Sequence, residues 1–350
     1  MGESKVAKQE IVWIDWAKCI CMFFVYWLHV IQLGSNESPI NIPYGHFFVN
    51  AFFFITGYLI FRKQMSPTEI DTESREFLRK NLQGGGMLPN IIFKIAIPSI
   101  VFSTIFYLPK VLIGAAPLSL QTYFFNSILR GAEWFTCALT VAELIIFFLL
   151  MTRWKNIYYY VIAGIAVAIV GKYLQDANFM ILGNEHLPWF YKSGMIACFF
   201  IVFGGLFSQY ERVINKLMGG GKWYIVPLII YVLIAVFTPL GAAQANTLGS
   251  VTIVGLAVSL FAILALVYAC KLLKPVRIVK FISRHSIGFF FLSASVPLVC
   301  AKIVEHFLPL GSLSFFLSVG FSFLSAIVAV FLLNRYLPFL FDIRKLIKNK

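Results

Sequence analysis

Charge is what this sequence has least of. Asp, Glu, Lys and Arg make up 13% of the 350 residues, and 15 residues are acidic, whereas a soluble globular domain carries about 25% charged residues. With 60% hydrophobic residues and a mean hydropathy of +0.84, a water-soluble core inside a charged shell is excluded. Cysteine is also scarce, at six residues (Cys19, Cys21, Cys137, Cys198, Cys270 and Cys300). All lie in or beside apolar runs without the spacing of a zinc site or a disulfide framework, so they read as packed thiols and no metal is implied. No internal repeat is visible of the kind that builds the inverted halves of secondary transporters. The first apolar run has no small-residue cleavage site and carries Asp15 and Lys18, which makes it a retained helix and not a signal peptide. The opening Met-Gly lacks the Ser or Thr that myristoylation wants, because Val6 stands there.

What the chain has in abundance is apolar runs long enough to cross a membrane, which takes about 20 residues for roughly 30 Å of hydrocarbon. Runs near 11-33, 45-62, 88-109, 134-152, 156-173, 189-207, 223-239, 247-270, 281-303 and 313-334 predict ten transmembrane helices. The fold class is therefore all-α, a polytopic membrane protein read as a single transmembrane domain over 1-350. The stretch 111-130 is broken by Gly, Pro and Ser and fits a re-entrant or interfacial segment. The loop 62-87 reads as a mobile cytoplasmic segment, and its Gly84-Gly85-Gly86 is too weak a motif to mark a phosphate loop.

Cytoplasmic loops collect Lys and Arg. With both termini cytoplasmic, 22 of the 29 basic residues lie inside, five outside (Lys110, Arg130, Lys172, Lys192, Lys302) and two within spans (Lys18, Lys94). The net charge of +14 is thereby a topology signature with some attraction to anionic membrane lipids, not a sign of a nucleic-acid partner.

The first span reads IVWIDWAKCICMFFVYWLHVIQL and holds three ionisable groups, each costing about 3 kcal/mol at the bilayer centre. At helical spacing Asp15, Lys18, Met22, Val25 and His29 share one face, and Lys18 and His29 are roughly 16 Å apart along the axis. Taken singly, Asp15 and Lys18 can pair near the headgroups and His29 can be helix-helix glue. As a set they fit the lining of a buried polar path better. Asn50, Tyr58, Lys94, Glu143, Ser286 and Ser293 are the other polar residues inside spans that could meet that face. Lys94 sits four residues before Pro98, where it either binds an anion or snorkels to the headgroups. Glu143 is either a partner for a buried cation or a helix-helix hydrogen bond.

Asp15-x-x-Lys18, ten residues and then His29, FFVNAFFFITGYLIFRK at 47-63, Lys94-x-x-x-Pro98, Trp134-Phe135 opening the fourth span and ISRHSIGFFFLS at 282-293 together resemble the acyltransferase-3 family of membrane O-acyltransferases. That family includes enterobacterial-common-antigen and fucose O-acetylases. The ordered set covers nearly the whole chain. Lys18 and His29 occupy the places of the family's arginine and histidine, with lysine in place of the bidentate arginine. Where many relatives have glutamate five residues after the tryptophan, this chain has Leu139, with Glu143 four residues later. Ser293 stands where relatives often carry a histidine.

The resemblance implies acyl transfer, usually acetyl from acetyl-CoA or another acyl-CoA, onto a sugar hydroxyl of a surface or lipid-linked glycan at the cell (inner or plasma) membrane. It makes acyl-CoA, a sugar or glycan acceptor and membrane lipids the expected partners. On this reading His29 is general base, with Asp15, Lys18 and Glu143 beside it as the catalytic set. Lys18, Lys94, Arg79 and Lys80 are candidate contacts for the phosphates of the donor. The rival expectation is a transporter or flippase for a glycan or its lipid-linked precursor, which would also need polar groups at mid-membrane but no acyl-CoA.

Overall fold

A computed structural model describes residues 11–33, 47–65, 74–112, 117, 119–131, 133–181, 183–184, 187–219, 222–237 and 252–348. The described residues are helical throughout, apart from turns and one isolated β-bridge between Ile181 and Asn184.

α1 (Val12–Leu33) and α2 (Phe47–Gln64) lie antiparallel, with Trp13 edge-on to Tyr58 at 5.1 Å and Phe24 stacked on Phe48 at 6.2 Å. The chain continues through α3 (Ser74–Leu82), α4 (Met87–Ile91), a π-helical turn (Ile92–Ala96) and α5 (Ile97–Leu112). Pro98 explains the wide turn: it has no N–H for the Lys94 carbonyl and its ring crowds that carbonyl, so the helix opens just before it. Then follow α6 (Leu120–Tyr123) with a second π turn (Phe124–Leu129), α7 (Trp134–Leu150), α8 (Ile157–Asp176), α9 (Tyr191–Leu217) and α10 (Ile225–Phe237). The last helices are α11 (Ile253–Lys271), α12 (Arg277–Arg284), α13 (Ser286–Leu292), α14 (Ser295–Phe307), α15 (Ser312–Tyr336) and α16 (Arg344–Lys348).

This is an all-α polytopic membrane protein. Six stretches are long and apolar enough to cross a bilayer: Val12–Gln32, Arg75–Leu108, Ile157–Asp176, Tyr191–Leu217, Val254–Lys271 and Ser312–Tyr336. The pair Leu120–Leu129 and Trp134–Leu150, bent by 60°, and the pair α13 and α14, bent by 54°, bring the number to eight. Of the ten runs expected, those at 45-62 and 223-239 remain outside this count. The first becomes α2, whose last turn is spent on Arg62, Lys63 and Gln64, and the second shows 13 helical residues in α10. Of the segment 111-130 expected to be re-entrant, residues 120–129 form the short arm of the first bent pair, and residues 113–116 and 118 lie outside the described residues. Of the loop at 62-87, residues 66–73 lie outside the described residues, and the remainder includes α3.

α15 also runs antiparallel to α1, with Trp27 against Phe315 at 5.0 Å and Phe23 against Phe323 at 5.5 Å. The end of the bundle where α1 begins therefore gathers the last turns of α2, α9, α11 and α15, which carry Arg62, Lys63, Lys216, Lys271 and Arg335. Cations at helix C-termini offset the negative end of the macrodipole. We refer to this as the basic end.

The centre is held by α2 and α9, whose backbones touch. A Cβ on Gly57 would lie 1.8 Å from the Ile201 carbonyl oxygen, and one on Gly204 would lie 1.9 Å from that of Phe54. Small residues allow such approach in lipid, where van der Waals packing must replace the hydrophobic effect between helices.

The C-terminal segment is latched across the basic end. Arg344 donates to the Gly84 carbonyl at 2.7 Å and to Asn90 Oδ1 at 3.1 Å, and it pairs with Asp342 at 2.8 Å. The hydrogen bond from Arg344 holds the Asp342 carboxyl below its ordinary range. A depressed carboxylate contributes stability above its unfolded pKa of about 3.9, and the contribution is lost as pH falls through the lower folded value. Asp342→Asn is therefore expected to speed limited proteolysis after Leu337 severalfold at pH 7, while the unsubstituted latch holds down to about pH 4.

Candidate functional site

α1 delivers the site. Asp15 and Lys18 lie one turn apart near the basic end, both half-buried. The two charges that act on Lys18 are Asp15 and Glu143 of α7, and Lys18 is the charge that acts on Glu143. The charges of Asp15 and Glu143 thus both reach Lys18, from α1 itself and from α7.

His29 stands eleven residues beyond Lys18 on the same helix, half-buried. Its Nδ1 lies 2.8 Å from the Val25 carbonyl oxygen. A carbonyl can only accept, so Nδ1 carries the proton and Nε2 keeps a lone pair.

Between the two the face closes. Met22 is 0% and Val25 2% exposed, both within the main hydrophobic core. The spacing predicts a continuous polar path, and the structure instead shows two polar stations separated by a packed apolar belt. The reason is that Met22 and Val25 fill the same stripe against the neighbouring helices.

Asn50 of α2 is fully buried, and neither its Nδ2 nor its Oδ1 has a hydrogen-bond partner among the described residues. Ser293, in the break between α13 and α14, donates to the Phe290 carbonyl at 2.8 Å, so its hydroxyl is spent within its own turn. Ser286 is buried at the start of α13. Arg79, Lys80 and Lys94 are exposed, the first two on α3 and Lys94 on the π turn, and none is gathered around Lys18.

Sequence reasoning missed a second polar cluster at the basic end. Glu211 of α9 accepts from Lys271 Nζ at 2.9 Å and from the Tyr58 hydroxyl at 2.6 Å. Arg62 donates to the Tyr58 oxygen at 2.6 Å, and Asn215 Oδ1 accepts from Lys271 at 2.6 Å and from Tyr268 at 2.9 Å. The signal was present as Tyr58/Arg62 and Glu211/Asn215, each pair four residues apart and so on one helix face. It was hidden because these positions sit where spans give way to loops and read as ordinary topology charges.

The described helices form a polytopic membrane bundle whose first helix carries Asp15, Lys18 and His29. The family model described as an acyltransferase domain matches residues 11–335, and the chain belongs to this acyltransferase-3 family and is an acyltransferase. Among curated proteins and among solved structures, nothing matches the chain.

Proposed function

We propose that the protein sits in the cell (inner or plasma) membrane with its basic end in the cytoplasm, and moves an acyl group from acyl-CoA to a hydroxyl of a sugar. Acetyl is the first group to test, and the acceptor is a cell-surface or lipid-linked glycan. The observation that carries this reading is the 2.8 Å contact of His29 Nδ1 with the Val25 carbonyl oxygen, which leaves Nε2 as the basic nitrogen, on the same helix as Lys18.

In the proposed reaction the Nε2 lone pair takes the proton of the acceptor hydroxyl as its oxygen bonds to the thioester carbonyl carbon. The carbon–sulfur bond then breaks, and the proton passes from His29 to the departing thiolate. An imidazole with an ordinary pKa of about 6.5 can run both halves near neutral pH. The acyl donor supplies the activated carbonyl. Lys18, with the charges of Asp15 and Glu143 acting on it, supplies a cation on the approach to the membrane interior. Arg79, Lys80 and Lys94 add positive potential around the basic end, which steers a polyanion inward. Met22 must move aside to let the thioester arm pass, and an unbranched thioether is the side chain best able to do so.

Membranes containing the protein, supplied with radiolabelled acetyl-CoA, are expected to place label in surface carbohydrate. Label appearing at the rate of membranes lacking the protein overturns the reading. Lys18→Met is expected to lower transfer about 10- to 100-fold, the value of one charge-assisted contact, while Lys18→Arg retains most of it. Equal rates for the two variants would remove Lys18 from the donor's path.

A further inference from the structure

The second cluster encloses a cavity of about 410 Å³ at the basic end, lined by Trp13, Tyr58, Arg62, Glu211, Arg212 and Lys271 among others. That is within the size range of small-ligand pockets. Its charge is unbalanced: three cations face one carboxylate. Lys271 and the Tyr58 hydroxyl already satisfy Glu211, so both guanidiniums remain in excess. Arg62 spends one N–H on Tyr58 and keeps the rest of its five-donor fork. Arg212 is exposed and has no hydrogen-bond partner among the described residues. Trp13, which is 4% exposed and lines the same cavity, has an indole Nε1–H without an acceptor. A buried donor left unpaired costs about 1–3 kcal/mol.

We infer that this cavity is a phosphate-ester site that takes the phosphorylated nucleotide head of the acyl donor. Paired guanidiniums bind phosphate bidentately. The aromatic walls of Trp13 and Tyr58 suit a nucleotide better than a bare phosphate or a lipid headgroup. Trp13 precedes Lys18 by five residues, roughly 7.5 Å of helix rise. A head held here starts the donor's arm on the α1 face that leads past Lys18 to His29. The inference rests on the proposed acyl-CoA reaction and adds the place where the donor is gripped.

The test is direct binding of coenzyme A and of adenosine 3′,5′-bisphosphate to the purified full chain in nanodiscs of zwitterionic lipid. Arg62→Gln and the exposed Arg212→Gln are each expected to weaken both ligands about tenfold or more, and the exposed Lys302→Gln of α14 to leave them within twofold. Trp13→Phe is expected to weaken binding less than either arginine change. Unchanged affinity in both arginine variants, each eluting as folded protein, overturns the inference. So does competition by short-chain phosphatidylglycerol with no effect of the bisphosphate, which would make it a lipid headgroup site. Binding that depends on the arginines, with no label transferred to carbohydrate, leaves the pocket standing and removes the acyl-transfer reading. Transfer with an unaltered KM for acetyl-CoA in the arginine variants does the reverse.

Discussion

Alanine at His29 is expected to lower acyl transfer by about 10²–10⁴-fold, the usual contribution of a positioned general base, with the protein still inserted at ordinary abundance. The fold should tolerate the change because the histidine's one hydrogen bond among the described residues is to the Val25 carbonyl, four residues back on its own helix. That carbonyl lies within α1, where the backbone ladder already uses it. The KM for acetyl-CoA should stay near its original value, since the base acts on the acceptor proton and not on the donor's head. His29→Gln, which can hydrogen-bond but cannot take a proton at neutral pH, should be as inactive as alanine. Transfer at more than a tenth of the original rate in both variants would remove His29 from the chemistry. The readout is label from acetyl-CoA recovered in surface carbohydrate, normalised to protein in the membrane.

The largest effect on stability is expected at the α2–α9 contact. Gly57→Val places its Cβ where the Ile201 carbonyl oxygen now lies, at 1.8 Å, with the Ile201 carbonyl carbon at 2.6 Å. Backbone cannot rotate away as a side chain can, so the two helices must separate. Overpacking of this kind costs about 3 kcal/mol or more, and because the contact is central the loss spreads to Phe54 and Tyr58. Gly204→Val should behave alike, since its Cβ would meet the Phe54 carbonyl oxygen at 1.9 Å. Gly320 provides the contrast: a Cβ there meets nothing within 4 Å, and Gly320→Ala should be neutral or stabilise by up to about 1 kcal/mol through helix propensity. Thermal unfolding in mild detergent reads all three. A Gly57→Val protein melting within two degrees of the original would contradict the close approach.

The helical membrane architecture was legible because hydrophobic runs of span length leave few alternatives once backbone groups must pair internally. The number of spans was less so. Asn50, Arg62 and Lys63 dilute α2, and the bends beside Ser293 and ahead of Trp134 divide what length alone would count as whole spans. In the candidate site, the face from Asp15 to His29 could be read at 100° per residue, and the company of Glu143 with Lys18 was one of two readings weighed. Two things were beyond reach of periodicity. One was the closure at Met22 and Val25, because apolar residues on a polar stripe look the same whether they line a passage or fill it. The other was the cluster around Glu211, which joins α2, α9 and α11 across more than 150 positions of sequence.

The packed belt at Met22 and Val25 has a consequence for the cell that houses the protein. A lysine on one side and an imidazole on the other, joined by water, would form a proton wire and short-circuit the voltage the membrane stores. The packed side chains of Met22 and Val25 interrupt such a wire, so one helix can carry both groups without discharging that gradient.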